Sequence, residues 1–150
     1  MRKENLKLRE FSLSDLTQVM EIEKASFPKS RAYPKSYFEK YYQKYPQGFV
    51  VTENQEEIAG YAIGQLENGV GKIISLAVSP LRRQKGTGTL LAKFLIEHFK
   101  KKGAKEVSLH ARIENEEGIS FYRNLGFKII KTVKNYYQNG DDAYLMIKEI

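Results

Sequence analysis

The chain of 150 residues contains no cysteine and no tryptophan, only two histidines and only four prolines. Without cysteine it cannot form disulfides, a thiolate zinc site or a cysteine nucleophile. The two isolated histidines, His98 and His110, do not form a histidine-rich cluster, so we predict no metal site. No apolar run approaches the roughly 18 residues of a membrane-spanning helix, and residues 1–5 lack the apolar stretch of a signal peptide. We therefore predict a cytoplasmic protein that does not act at a membrane.

The composition is that of one folded domain. Hydrophobic residues make up 41% and charged residues 29% of the chain, and we see neither a repeat nor a linker, so we predict a single domain over residues 1–150. The net charge is +7. Such a charge suits a nucleic acid, a ribosome surface or a polyphosphate cofactor, and it also suits a lysine-rich surface that binds nothing.

Helical and strand patterns alternate along the chain, which predicts an α/β fold with a mixed sheet. Gly69 and Gly71 are predicted to form a turn, and residues 73–78 after it are mostly apolar, as in a strand covered on both faces. In the strand predicted over 106–111, Val107 and Leu109 face one way while Ser108 and His110 face the other. The helix before Gly103 is predicted to carry five apolar residues on one face: Leu90, Leu91, Phe94, Leu95 and Phe99.

A glycine-rich turn between an apolar strand and an amphipathic helix is the most informative segment. Its glycines allow a ligand to approach the backbone closely, and its free amides together with a helix N-terminus predict an anion site. The turn is not a Walker A loop, because no Gly-Lys-Ser/Thr follows four variable residues. It is not a full dinucleotide fingerprint either, because Leu91 occupies the third glycine position. The residues predicted to bind here are Arg83, Gln84, Lys85, Gly86, Thr87, Gly88 and Thr89.

This turn resembles the pyrophosphate loop, Arg/Gln-x-x-Gly-x-Gly/Ala, of the GCN5-related N-acetyltransferases, the GNAT family. Leu76, Ala77 and Val78 resemble the family's bulged strand, whose backbone pairs with the pantetheine arm. Asn115 and the segment 121–127 resemble its Asn…Tyr-x-x-x-Gly-Phe pattern. The resemblance implies a mixed sheet with splayed parallel strands and acetyl-coenzyme A as cofactor. It also places Asn115 against the cofactor and Tyr122 beside its sulfur.

The C-terminal segment 135–146 is similar to the ending of N-terminal acetyltransferases of the ribosomal-protein-alanine and archaeal Ard1 types. Residues 109–112 resemble their Leu-Glu/His-Val-Arg strand. These similarities imply that a protein α-amino group receives acetyl by direct attack, with a ribosomal protein as a candidate acceptor. We predict a monomer or a homodimer. The similarities also imply that Tyr136 and Tyr137 grip the acceptor. Three further residues are predicted to form the opposite wall: Phe27, Pro28 and Tyr33.

The chemistry agrees with these residues. A free α-amino group has a pKa of about 7.7–8.0, against about 10.4 for lysine, so a modest base suffices. His110 is predicted to take the proton through a water, with Glu21 or Glu23 as the alternative base. The backbone amide near Val78 is predicted to hold the oxyanion, and Tyr122 to protonate the leaving sulfur.

Three other interpretations stay open at this point. A GNAT enzyme could acetylate a small-molecule amine or a lysine side chain. A basic nucleic-acid or ribosome-binding module would explain the charge without catalysis, and a sensor could bind the cofactor without turnover. Gly118 departs from the family pattern, since relatives usually have alanine there.

Overall fold

The computed structural model describes residues 6–27, 32–83 and 86–150, which form one mixed sheet between two pairs of helices. Within these residues no helix is long and apolar enough to cross a membrane. The strands are β1 (Lys7–Glu10), β2 (Phe49–Asn54), β3 (Glu57–Glu67), β4 (Val70–Val78), β5 (Glu106–Arg112), β6 (Lys128–Val133) and β7 (Ala143–Glu149). The helices are α1 (Leu16–Ser26), α2 (Lys35–Lys44), α3 (Thr87–Lys101) and α4 (Glu116–Asn124).

The described strands lie in the order β1-β2-β3-β4-β5-β7-β6, and of the neighbouring pairs only β4 and β5 are parallel. These two strands pair only from Val70 opposite Glu106 to Ile73 opposite Leu109. Beyond that point β4 stays paired with β3, and β5 stays paired with β7. A bulge accompanies the separation, because Ile74 is an additional residue between the partners of Gly64 and Ile63. The predicted splayed strands and the bulged strand are therefore present.

Each face of the sheet carries its own hydrophobic core. One core lies under α3 and includes Leu95 and Phe99, and the other lies under α1 and α2 and includes Val19 and Phe38. On the α3 side the helix packs very close to the sheet. A Cβ on Gly71 of β4 would lie 2.3 Å from Cγ of Phe99, so only glycine leaves room for this ring.

The buried face of α3 is narrower than the sequence predicts. Leu91, Leu95 and Phe99 are fully buried, whereas Leu90 and Phe94 are 40% and 36% exposed. Leu90 and Phe94 each precede a buried leucine by one residue, which turns them about 100° around the helix axis and away from the sheet. Leu90 and Phe94 therefore lie at the edge of the apolar face.

Strand β4 begins three residues before the predicted start, and Gly71 lies inside the strand rather than in a turn. The chain instead reverses at Asn68 and Gly69, which both have positive φ angles of 52° and 77°. Such a two-residue turn connects β3 and β4 as a tight hairpin. The longer β4 is what brings Lys72 onto the sheet next to β5.

Candidate active site

A cavity of about 600 Å³ occupies the opening between β4 and β5. It extends from the start of α3 to the residues that follow α1. Most of the predicted site residues within the described part of the chain line it: Phe27, Tyr33, Leu76, Ala77, Val78, Arg83, Gly86, Gly88, Thr89, His110, Asn115, Tyr122 and Tyr137. The structure therefore brings together residues from both halves of the sequence.

The remaining predicted residues are placed differently. Pro28, Gln84 and Lys85 lie outside the described residues. Tyr136 lines an adjoining cavity. The side chain of Thr87 is buried in the core, 1% exposed, and its methyl carbon would contact a Cβ on Gly60 at 3.3 Å. Thr87 can therefore reach a ligand in the cavity only through its backbone.

The start of α3 fits a diphosphate group. Gly86 precedes the helix with a φ of +82°, a conformation that favours glycine. A Cβ on Gly86 would meet nothing within 4 Å, so the space in front of the helix is open. The first amides of a helix have no carbonyl partner within that helix, and its N-terminus carries partial positive charge. This end of the cavity can therefore hold an anion by backbone groups alone.

The backbone of β4 also faces the opening. The Ser79 amide donates to Ala59 O on β3 at 2.8 Å, and alternate residues of a strand point their amides to opposite sides. The Val78 amide therefore points away from β3, towards the cavity. In agreement, the Val78 carbonyl turns away from β3 and accepts a hydrogen bond from Arg83 Nε at 3.2 Å.

Helix α4 brings Asn115 and Tyr122 to the cavity. Asn115 caps the helix, with Oδ1 accepting from the Gly118 amide at 3.0 Å. A Cβ on residue 118 would lie 2.4 Å from Asn115 Nδ2, which gives a physical reason for the unusual Gly118. Burial raises the pKa of Tyr122 above the ordinary value for tyrosine, so its hydroxyl stays protonated even in alkaline solution and can donate.

His110 projects from β5 on the side of the sheet that faces α1 and α2. Its ring stacks on Tyr136 with a centroid distance of 4.0 Å and an interplanar angle of 9°. Partial burial lowers the pKa of His110, and the charges of Lys72 and Lys131 lower it further. The imidazole is therefore neutral at neutral pH, which is the form that can accept a proton.

Glu23 is a buried carboxylate in the same cavity, only 1% exposed. It accepts hydrogen bonds from the Tyr61 hydroxyl and from the Tyr33 amide, the latter at 3.2 Å. Burial raises the pKa of Glu23, against the effect of these two donors. The other glutamate considered as a base, Glu21, is exposed and does not line the cavity.

Part of this network has a signal in the sequence. Leu16, Val19 and Glu23 follow the i, i+3, i+7 spacing of one helix face, and all three are buried. A carboxylate on a buried face needs hydrogen-bond donors. The donor Tyr61 lies 38 residues away, and its hydroxyl also contacts Ser75 Oγ at 3.0 Å, so this pairing depends on the fold.

The tyrosines predicted to grip the acceptor form two facing walls. Tyr33 stacks on Tyr37 of α2 at 3.9 Å between ring centroids. Across the opening, the Arg112 guanidinium lies 3.7 Å from the ring centroid of Tyr137 and also forms an ion pair with Asp141. Arg112, which was not among the predicted site residues, thus fixes the segment between β6 and β7 against β5.

A family model described as "Acetyltransferase (GNAT) family" matches residues 16–127. The chain belongs to this GNAT family. This GNAT chain is 34% identical to an N-alpha-acetyltransferase of Sulfolobus acidocaldarius, over 97% of the chain and 93% of that relative. The predicted family and the predicted N-acetyltransferase class are therefore confirmed.

Solved structures agree with the fold of this GNAT chain. The crystal structure of Ard1 from Thermoplasma volcanium is 25% identical, with a TM-score of 0.90 and 97% of both chains covered. Naa50 from Arabidopsis thaliana, in complex with the bisubstrate analogue CoA-Ac-MVNAL, is 26% identical, with a TM-score of 0.82 and coverages of 97% and 99%. The predicted fold class is confirmed, whereas the roles of individual residues stay predictions.

Proposed function

We propose that this enzyme transfers the acetyl group of acetyl-coenzyme A to the α-amino group of a protein or peptide. The observation that carries the proposal is the shape of the cavity. One end has the backbone groups of an anion site, the other has tyrosine walls, and both meet where β4 and β5 separate. The related N-alpha-acetyltransferase and the Naa50 complex, whose analogue joins coenzyme A to a peptide, support the same reaction.

The α3 end of the cavity binds the donor. The amides that begin α3 hold the diphosphate, with Arg83 beside them, and the backbones of Leu76 and Val78 hold the arm between diphosphate and thioester. Predicted contacts of Gln84 and Lys85 lie outside the described residues. When bound, acetyl-coenzyme A supplies an activated acetyl group as a thioester.

The acceptor amine enters between Tyr33 and Tyr137. His110 takes the proton from the amine through a water, because its neutral imidazole faces the cavity and its lowered pKa keeps it neutral. Glu23 is the second candidate for this role. Its raised pKa also suits a base, but its two oxygens already accept hydrogen bonds from Tyr61 and Tyr33.

Two other groups act on the reacting atoms. The Val78 amide, which points into the opening, donates to the oxygen on which negative charge develops. The Tyr122 hydroxyl remains protonated because burial raises its pKa, and it donates to the departing sulfur. The amine attacks directly, so no acyl-enzyme forms and the absence of cysteine is no obstacle.

A substrate comparison tests the proposal. Thiol release from acetyl-coenzyme A is measured with three acceptors: a peptide with a free N-terminus, the same peptide with a blocked N-terminus and a free lysine, and spermidine. We expect release with the first peptide only, and mass spectrometry should place the acetyl group on the α-nitrogen. Turnover of spermidine or of the blocked peptide alone would contradict the proposal.

A ribosomal protein is our candidate for the natural acceptor, because a chain with a net charge of +7 is attracted to an RNA-rich particle. Comparison of N-terminal acetylation in cells with and without the gene tests this finer point. We expect ribosomal proteins among the N-termini that lose acetylation. The predicted cytoplasmic location and the monomeric or homodimeric state stay predictions.

A further inference from the structure

A second cavity of about 280 Å³ lies beyond His110 on the acceptor side. It is continuous with the first, because the two share six lining residues: Tyr33, Ile73, Ile74, Leu109, His110 and Tyr137. Its other walls come from α2, from the β3–β4 hairpin and from β5. The volume corresponds to about nine water molecules of roughly 30 Å³ each, enough for a side chain.

The far end of this second cavity is charged. Lys44 Nζ lies 3.1 Å from one oxygen of Glu67, and Lys72 Nζ lies 3.3 Å from the other. Two ammonium groups therefore share a single carboxylate, which leaves an excess of one positive charge. Each ammonium has three N–H donors, and the Glu67 carboxylate does not use them all. We call this group of three residues the Lys–Glu–Lys cluster.

The Lys–Glu–Lys cluster lies within reach of the first residues of an acceptor. Lys72 pairs with Ser108, and His110 is two residues further along β5 on the same face. Two strand residues span about 7 Å, which is also the length of about two residues of an extended peptide. A peptide whose amine is near His110 can therefore place an early side chain at the cluster.

We propose that the second cavity receives an acidic side chain from one of the first three residues of the acceptor, an inference that rests on the proposed function. Charge complementarity favours this occupant. The excess ammonium attracts a carboxylate, an amide of the same size gains less, and a lysine is repelled. The tyrosines of α2 and Ser108 line the second cavity and add hydroxyl groups that can donate hydrogen bonds to such a side chain.

Matched peptides test the preference. Glu, Gln or Lys is placed in turn at positions 1, 2 and 3 of one neutral peptide, and kcat and KM are measured for each. At one position we expect the Glu peptide to have a kcat/KM about 5-fold above the Gln peptide, mainly through KM. The difference should shrink at high salt, because the cluster is partly exposed. Fluorescence anisotropy of labelled peptides gives a binding readout that is independent of turnover.

Variants of the Lys–Glu–Lys cluster sharpen the test in both directions. The double variant Lys44→Met, Lys72→Met should lose the preference for Glu. Glu67→Gln should increase the preference for Glu, because this substitution removes the competing carboxylate. It also gives a test of the proposal if the double variant does not fold. Lys93→Met with Lys100→Met on α3 makes the same change in net charge on exposed positions and should keep the preference.

Equal use of Glu and Gln peptides by the unmodified enzyme would overturn the proposal. So would a preference that survives Lys44→Met, Lys72→Met, or one that is lost equally in the α3 control. Failure of the proposed function gives a different result, since no peptide with a free N-terminus would then be acetylated.

Discussion

The donor end and the acceptor end of the cleft are built from different parts of the chain. At the donor end, Gly86, Val78 and the first turn of α3 present mostly backbone groups, and the residues are close together in sequence. At the acceptor end, side chains converge from α1, α2, β4, β5 and the segment between β6 and β7.

This difference has a consequence for recognition. Backbone amides at a helix start bind any diphosphate and depend little on side-chain identity. Side chains such as Glu23, His110 and Lys72 line the acceptor end, and in our proposals they take the proton from the amine and select the acceptor. The donor end therefore carries the pattern shared with the family, and in our proposals the acceptor end selects the acceptor.

The largest effect that separates the two ends should come from His110→Ala. We expect kcat to fall about 100-fold or more, as for loss of a general base, while the Kd for acetyl-coenzyme A stays unchanged. A thiol-release assay measures kcat, and calorimetry measures Kd. His98→Ala is the matched control, since His98 lies on α3 and contacts Tyr45 outside the cleft at 2.7 Å. Unchanged turnover in His110→Ala, with a collapse in Glu23→Gln, would assign the base to Glu23.

Gly86→Glu should produce the opposite pattern, with loss of cofactor binding. A carboxylate there repels the diphosphate and fills the open space before α3, so we expect Kd to rise about 100-fold or more by calorimetry. Gly103→Glu is the matched control, because Gly103 also has a positive φ of +89° and open space around it. The control carries the same backbone strain, about 1–2 kcal/mol, and should still bind the cofactor. Equal binding by both variants would place the diphosphate elsewhere.

Gly71→Ala tests the close packing between the start of β4 and the last turn of α3, away from the donor end. The new Cβ would overlap the Phe99 ring, and overpacking of this kind costs about 1–3 kcal/mol. We expect this loss in the free energy of unfolding from urea titrations. Gly88→Ala serves as the stability control, since its Cβ would be 3.4 Å from Phe121 and makes ordinary contact. A variant as stable as the control would mean that α3 can shift away from β4.

Glu23→Gln should change how stability depends on pH. Because the folded pKa of Glu23 is raised above 4.5, the native state holds this proton more tightly than the unfolded state. Its contribution to stability is then present at low pH and is lost as pH rises through the folded pKa. The unfolding free energy of the unmodified enzyme should therefore decline relative to Glu23→Gln as pH rises. A constant difference across this range would contradict the raised pKa.

The smallest effect should be that of Gly118→Ala. Alanine favours the helix by about 0.5–1 kcal/mol, but it displaces Asn115 from its capping bond, which costs about 1 kcal/mol. We expect a net change of less than about 1 kcal/mol in thermal unfolding. In an Asn115→Ala background the cap is already absent, so the same substitution should be stabilising. Equal effects in both backgrounds would show that Asn115 and Gly118 are not coupled.

The sequence predicted the order of the elements and most of the donor end, because these depend on local rules. A glycine turn before a helix and an apolar run before that turn can be identified within about twenty residues of chain. The start of β4 was misplaced because Gly71 was assigned to a turn. Its small size is instead required by Phe99, 28 residues later, a contact that no local pattern predicts.

The acceptor end was less predictable for the same reason. Tyr33, Tyr137 and His110 followed from the family resemblance, but the partners of Glu23 did not. The Lys–Glu–Lys cluster joins α2 to the β3–β4 hairpin across 23 residues. Lysine and glutamate are common on any protein surface, so only the fold shows that these three residues form a cluster.

The separation of β4 from β5 leaves a gap in the sheet beyond Ile73 and Leu109. An extended ligand with its own amide groups can fill such a gap by backbone pairing, as peptides do when they extend a sheet edge. Donor binding should then slow the hydrogen–deuterium exchange of the Val78 amide, which faces the gap, more than that of the Ser79 amide, which already bonds to β3. The bound donor would then take the place of an eighth strand between β4 and β5, and this strand would enter and leave the sheet once in every catalytic cycle.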